Sequence, residues 1–124
     1  MQALPDNAEL IIGNITETVP KFIKTLSKES PVGFISVDVD YYWSAKECLT
    51  VLLGEPEKYL PMTVVVYLDD IGVPSANPWV GELLAVNEFN AEHLYKKFIL
   101  THSYAHREYL SKHAGLNRFL LCTL

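Results

Sequence analysis

Gly33-Phe-Ile-Ser-Val-Asp38-Val-Asp40-Tyr-Tyr42 decides how this chain is read, together with a second stretch of the same build, Thr63-Val-Val-Val-Tyr-Leu-Asp69-Asp70-Ile-Gly72. Each is an apolar run that ends abruptly in paired carboxylates. A buried strand tolerates such a run, and a carboxylate leaves it only at the mouth of the sheet. Two such strands side by side bring Asp38, Asp40, Asp69 and Asp70 to one edge. Two like charges about 4 Å apart repel by roughly 4 kcal/mol at an effective dielectric of about 20. Four gather only with a cation, shared protons or an open, solvated cleft. A hard divalent cation with oxygen ligands is the simplest relief. The plainer alternative is that these acids cap helices and turns, as strand-end Asp often does.

The flanking sequence supplies the rest of a fold. Upstream, Glu9 to Gly13 reads as a short strand. Thr16 is a candidate N-cap, after which Val19, Phe22, Ile23 and Leu26 follow helical spacing. Pro20 then falls in the first turn, and Ser30-Pro31 ends the helix. Between the two acid-tipped strands, Ser44-Ala-Lys-Glu47 has the pattern of a capping box. Ala45, Cys48, Leu49, Leu52 and Leu53 form one apolar face, and Gly54 and Pro56 stop that helix. A loop rich in Gly, Pro, Ser and Asn runs from Ile71 to Pro78. Gly81 to His93 predicts a third helix with Leu83, Val86 and Phe89 inward. Phe98-Ile-Leu-Thr and Arg118-Phe-Leu-Leu-Cys-Thr are two final strands.

The order β-α-β-α-β-α-β-β predicts an α/β fold, a mostly parallel sheet with helices on both faces. The last two strands lack a convincing crossover helix and are expected to pair antiparallel. In open sheets of this kind the ligand site lies beyond the carboxyl ends of the strands, where the four acids fall.

Composition narrows the function. The 124 residues make a single domain, 1–124, and a hydrophobic fraction of 49% argues against disorder. A net charge of -5 argues against a nucleic-acid backbone as partner. No apolar run is long enough to span a membrane. The start, Met-Gln-Ala-Leu-Pro-Asp-Asn, lacks the basic and apolar regions of a signal peptide. Cys48 and Cys122 sit in apolar patterns and read as buried free thiols of a cytoplasmic protein.

Asp-x-Asp-Tyr-Tyr, a short helix, then an apolar strand ending Asp-Asp-Ile resembles the macrocin and mycinamicin type of O-methyltransferase. Those are metal-dependent class I enzymes that use S-adenosylmethionine, with a Rossmann-like sheet that carries an antiparallel strand pair at its carboxyl end. The resemblance implies that Asp38, Asp69 and Asp70 hold a magnesium ion. It implies that Asp40 is the general base on the hydroxyl of a small-molecule acceptor. A metal lowers the pKa of a bound hydroxyl, and a carboxylate just outside the ligand shell then takes its proton.

The chain departs from that pattern at its start. The family's glycine-rich loop after the first strand, and the acid after the second, hold the donor. Neither is present, and Gly13-Asn14 stands where many class I enzymes have Gly-Asp. The resemblance therefore covers the carboxyl-terminal half of such an enzyme, a partial sheet. It implies a truncated reading frame or a reduced relative that keeps the fold as a non-catalytic interaction module. Methyl transfer is expected to be incomplete in this chain, with no S-adenosylmethionine bound. The bare edge of the strand ending in Asp38 is expected to be covered by Leu10 to Gly13 or by a second copy in a homodimer.

Other readings are weaker. A haloacid-dehalogenase-type phosphatase also has an apolar strand ending Asp-x-Asp. It usually continues into Thr or Val where this chain has Tyr41, and no matching Ser/Thr strand end or Lys is evident. His102 and His106 lie four apart, as metal ligands on a helix can, but they and His113 read better as surface or interface residues. Tyr41, Tyr42 and Trp43 line an acceptor pocket or pack at a strand-helix corner. Glu82, Glu88 and Asn90 edge the site or face solvent, Glu88 more simply the latter.

Overall fold

The computed structural model describes residues 4–60, 63–72, 74–100 and 119–123. Three helices and four strands follow the chain as α1 (Ile15–Thr25), β1 (Phe34–Val37), α2 (Tyr42–Leu49), β2 (Thr63–Leu68), α3 (Gly81–Glu92), β3 (Lys97–Leu100) and β4 (Phe119–Thr123). The strands form one sheet in the order β1-β2-β4-β3. β1 and β2 are parallel, while β4 runs antiparallel to both of its neighbours. The fold is α/β, and the expected antiparallel pair at the carboxyl end is present. His102, His106 and His113 lie outside the described residues.

The core follows from the apolar runs. Val64, Val66 and Leu68 of the central strand β2 are buried, and Val37 of β1 and Phe98 of β3 join them. Ala45, Leu49 and Leu52 from α2 and the 3-10 turn behind it, and Ala85, Val86 and Phe89 from α3, close over this face. Each buried Val, Leu or Phe side chain contributes about 1.5–3 kcal/mol by leaving water, and the two alanines less. Cys48 is a free, half-buried thiol.

The described helices do not flank the sheet on both faces. α1 packs on α2 and α2 on α3, in one layer. The crossovers β1-α2-β2 and β2-α3-β3 advance across the sheet in the same direction. A right-handed connection then puts both helices on the same side. On the other side Phe34 is 57% exposed and Ile99 51% exposed. The register aligns Phe34, Val65, Leu121 and Ile99 in one row across all four strands.

Three local expectations are corrected. Glu9 to Gly13 is not a strand, and Leu10, Ile11 and Ile12 are exposed. Strand formation needs a partner, and this short apolar run pairs with no described strand. β1 therefore stays an edge. Next, α1 is capped by Asn14, whose Oδ1 accepts from the Thr16 amide at 3.1 Å and the Thr16 hydroxyl at 2.8 Å. The earlier start puts Pro20 in the second turn, where it has no N–H to donate to the Thr16 carbonyl. Finally, α2 begins at Tyr42 with no side-chain cap, so Ser44 lies inside the helix and the capping box is not formed.

Candidate functional site: the acidic edge of the sheet

Strand pairing brings the two acid-tipped stretches together. Val37 of β1 pairs with Leu68 of β2, so Asp38 and Asp69 leave adjacent strands at the same level. The Asp69 amide also donates to the Val37 carbonyl at 3.2 Å, which extends the parallel ladder to the acids. Asp38 and Asp70 are exposed and Asp69 is half-buried. The Tyr67 hydroxyl donates to Asp69 Oδ1 at 2.9 Å. Asp40 is exposed in the bend that leads to Tyr41, the residue before α2.

A fifth carboxylate joins the edge. Glu82, in the first turn of α3, is 4% exposed. Its Oε2 accepts from the Asp70 amide at 3.1 Å. Its Oε1 is buried without a hydrogen-bond partner. Burial, opposed by the Asp70 amide and reinforced by the negative charges of Asp70, Asp69 and Asp38, raises the Glu82 pKa to about 7. Those three aspartates thus share one electrostatic neighbourhood with Glu82. Asp40 is not among the charges that act on it.

The reading of α3 as Leu83, Val86 and Phe89 inward missed this residue's burial. The buried stripe is Glu82, Ala85, Val86 and Phe89, an i, i+3, i+4, i+7 series with an acid at its head. The signal that could have found it is its helical spacing to Ala85, Val86 and Phe89, set against a charge that suggests solvent. The helix entry is set by Gly81, whose φ of +55° is a conformation other residues rarely adopt.

A cleft of about 360 Å³ opens between the end of β2 and the start of α3, lined among others by Asp70, Ile71, Ser75, Asn77, Gly81 and Glu82. That volume lies within the range of about 300–1,000 Å³ typical of small-molecule sites. The donor set at the edge is all hard oxygen and suits magnesium. Among the described residues no group of three acid, thiol or imidazole side chains is gathered closely enough to hold an ion.

The remaining expected site residues divide. Tyr41 and Trp43 are exposed, while Tyr42 is half-buried and meets Trp43 edge to face at 4.8 Å. Glu88 does not simply face solvent. It is half-buried and accepts from the Tyr42 hydroxyl at 2.5 Å and Lys46 Nζ at 2.7 Å. Asn90 belongs to the scaffold, bonding both backbone groups of Phe98 in β3. No described helix is long and apolar enough to cross a membrane. The chain matches no family model, no curated protein and no solved structure.

Proposed function

We propose that the acidic edge derives from a metal-assisted O-methyltransferase, in which a methyl group passes from S-adenosylmethionine to a hydroxyl of a small molecule. The observation that carries this reading is the side-by-side exit of Asp38 and Asp69 from parallel strands, with Asp70 next in line. The antiparallel β3-β4 pair supports the Rossmann-like methyltransferase sheet that the sequence motifs suggest. In this reading Asp38, Asp69 and Asp70, drawn closer together than they stand in the structure, would hold magnesium. A magnesium ion there would supply Lewis acidity that lowers the pKa of an acceptor hydroxyl. Asp40, exposed two residues beyond Asp38, would take the proton. The cleft beside Asp70 and Glu82 admits the acceptor.

A second reading is favoured by the sheet face that no described helix covers. A cytoplasmic interaction module would keep the fold, use the exposed Phe34 and Ile99 for association with a second copy, and have no turnover. In both readings these 124 residues supply no glycine-rich strand-loop before β1 for a methyl donor.

Calorimetry separates them. Magnesium should bind the chain, at least about tenfold more weakly after Asp69→Asn and unchanged after Asp40→Asn, a base rather than a ligand. S-adenosylmethionine should give no saturable micromolar binding. An in-frame Gly-x-Gly-x-Gly strand-loop encoded upstream of Met1 would favour the enzyme. Magnesium binding indifferent to Asp69, or absent at millimolar concentration, would remove the metal assignment and leave the module.

A further inference from the structure

The cleft between the end of β2 and the start of α3 has a chemical bias of its own. Its described walls combine apolar side chains, Ile71, Val80 and Leu83 among them, with the acids Asp70 and Glu82, and include no Lys, Arg or His. Glu82 is 4% exposed. One of its oxygens is explained, since Oε2 accepts the Asp70 amide at 3.1 Å. The other, Oε1, is buried without a partner. A buried polar atom left unsatisfied costs about 1–3 kcal/mol, and more when charged. Because Glu82 lines the cleft, a donor that enters there meets Oε1 after a turn about the last torsion of the side chain, which is soft in glutamate.

The chemistry of that donor follows from charge. α3 starts without a side-chain cap, so its first-turn amides favour an anion, but only modestly. The two carboxylates on the cleft wall oppose one. An ammonium group instead brings three N–H donors and the positive charge that the wall lacks. The volume of about 360 Å³ and the apolar part of the lining suit a compact hydrocarbon body behind it.

We propose that this cleft binds a small protonated amine, with the ammonium hydrogen-bonded to Oε1 of Glu82 and the apolar body against Ile71, Val80 and Leu83. The site needs one carboxylate, not a gathering of acids, and no metal ion. It stands whether or not the sheet edge takes part in methyl transfer.

The test follows the amide resonances of the isotope-labelled full chain during titration with cyclohexylamine, cyclohexanol and cyclohexanecarboxylate, three bodies of similar shape and different charge. At about pH 8 Glu82, whose pKa burial raises to about 7, is largely ionised and the amine is protonated. Cyclohexylamine should shift the amides of Gly81, Glu82 and Leu83 saturably and bind at least about tenfold more tightly than the other two. Glu82→Gln keeps an acceptor for the Asp70 amide and loses the charge, so it should bind cyclohexylamine at least about tenfold more weakly. Val80→Lys, at an exposed position on the wall, sets a like charge beside the ammonium and should weaken it at least about threefold with the buried acid intact. Glu57→Gln, an exposed acid outside the cleft, should behave as wild type. The proposal is overturned if wild type shows no saturable shift at tens of millimolar amine, or binds the alcohol or the carboxylate as tightly. It is equally overturned if Glu82→Gln binds the amine as wild type does. Should Glu82→Gln lose the dispersed spectrum of a folded chain, Val80→Lys decides: weakened amine binding carries the proposal and unchanged binding overturns it.

Discussion

The Tyr42 hydroxyl donates to Glu88 Oε2 at 2.5 Å, bridging the first residue of α2 to the middle of α3. Lys46 Nζ reaches the same oxygen at 2.7 Å and Glu92 Oε1 at 3.2 Å. Tyr42 stands two residues after Asp40, so this bridge anchors the loop that carries Asp38 and Asp40 against the helix that carries Glu82. Tyr42→Phe and Glu88→Met should each lower the melting temperature by a few degrees, and the double variant by less than the sum, because both remove the same bond. Full additivity in circular-dichroism melts would show that the two side chains act separately.

Glu88 and Glu82 should leave opposite signatures in the pH dependence of stability. Hydrogen bonds from Lys46 and Tyr42 hold the Glu88 pKa below its ordinary 4.5. Its contribution is present above about pH 4.5 and is lost as pH falls through the lowered native value. For Glu82 the native pKa of about 7 lies above 4.5. Its contribution is complete below about pH 4.5 and is lost as pH rises through about 7. The groups facing Glu82 are Asp38, Asp69 and Asp70 from the strand ends and Cys48 from α2. In chelator-treated protein, Glu82→Gln should therefore gain stability over wild type at about pH 8, on the order of 1–3 kcal/mol, and little at about pH 4.5. Glu88→Gln should lose stability at about pH 8 and converge on wild type in acid. Denaturant titrations at the two pH values decide both, and a Glu82→Gln gain independent of pH would contradict the first.

The acids at the sheet edge were legible because an apolar run that stops at a carboxylate has few places to go. The pairing of Val37 with Leu68 was not legible, yet the adjacency of Asp38 and Asp69 follows from it. Leu10-Ile-Ile-Gly13 has the same local character as a strand and is not one, because pairing is a property of the neighbour as much as of the run. The burial of Glu82 was hidden by its charge, which invites an outward reading, although its spacing to Ala85, Val86 and Phe89 is that of a core residue. Alternation of strands and helices predicted the class of fold. It does not say which face each helix covers, which depends on the direction in which successive strands are laid down.

Gly54 and Tyr59 provide a test of the turn that follows α2. The Tyr59 ring is buried, its hydroxyl donates to the Val51 carbonyl at 2.6 Å, and it accepts from the Gly54 amide at 2.8 Å. Lys96 Nζ adds bonds to the Leu52 and Gly54 carbonyls at 2.7 and 2.8 Å. A Cβ on Gly54 would meet the Tyr59 hydroxyl, so the glycine is required by close approach and not by backbone conformation. Tyr59→Phe should cost about 1–3 kcal/mol by leaving buried backbone groups unsatisfied. Gly54→Ala should be destabilising, but less so when combined with Tyr59→Phe, which removes the clashing oxygen. A Gly54→Ala loss that persists in full in the Tyr59→Phe background would place its origin elsewhere.

The side of the sheet that no described helix covers should associate with a second copy of the chain. Phe34 and Ile99 mark the two outer strands, and the register joins them through Val65 and Leu121 in one apolar row. β1 is also an edge strand, and Phe34 to Val37 contains no Lys, Pro or other charge that would blunt it. Two such faces, each displaced from water by the other, pack about 10 Å apart as in a sandwich. We expect a homodimer with this face at its centre, burying more than about 1,000 Å² in total. Sedimentation equilibrium at micromolar concentration should report a dimer for wild type. Phe34→Lys and Ile99→Lys, both at exposed positions, should give monomers that retain the helical circular-dichroism signal. A clean monomer for wild type would refute the dimer. A dimer unaffected by either lysine would mean that a different surface carries it.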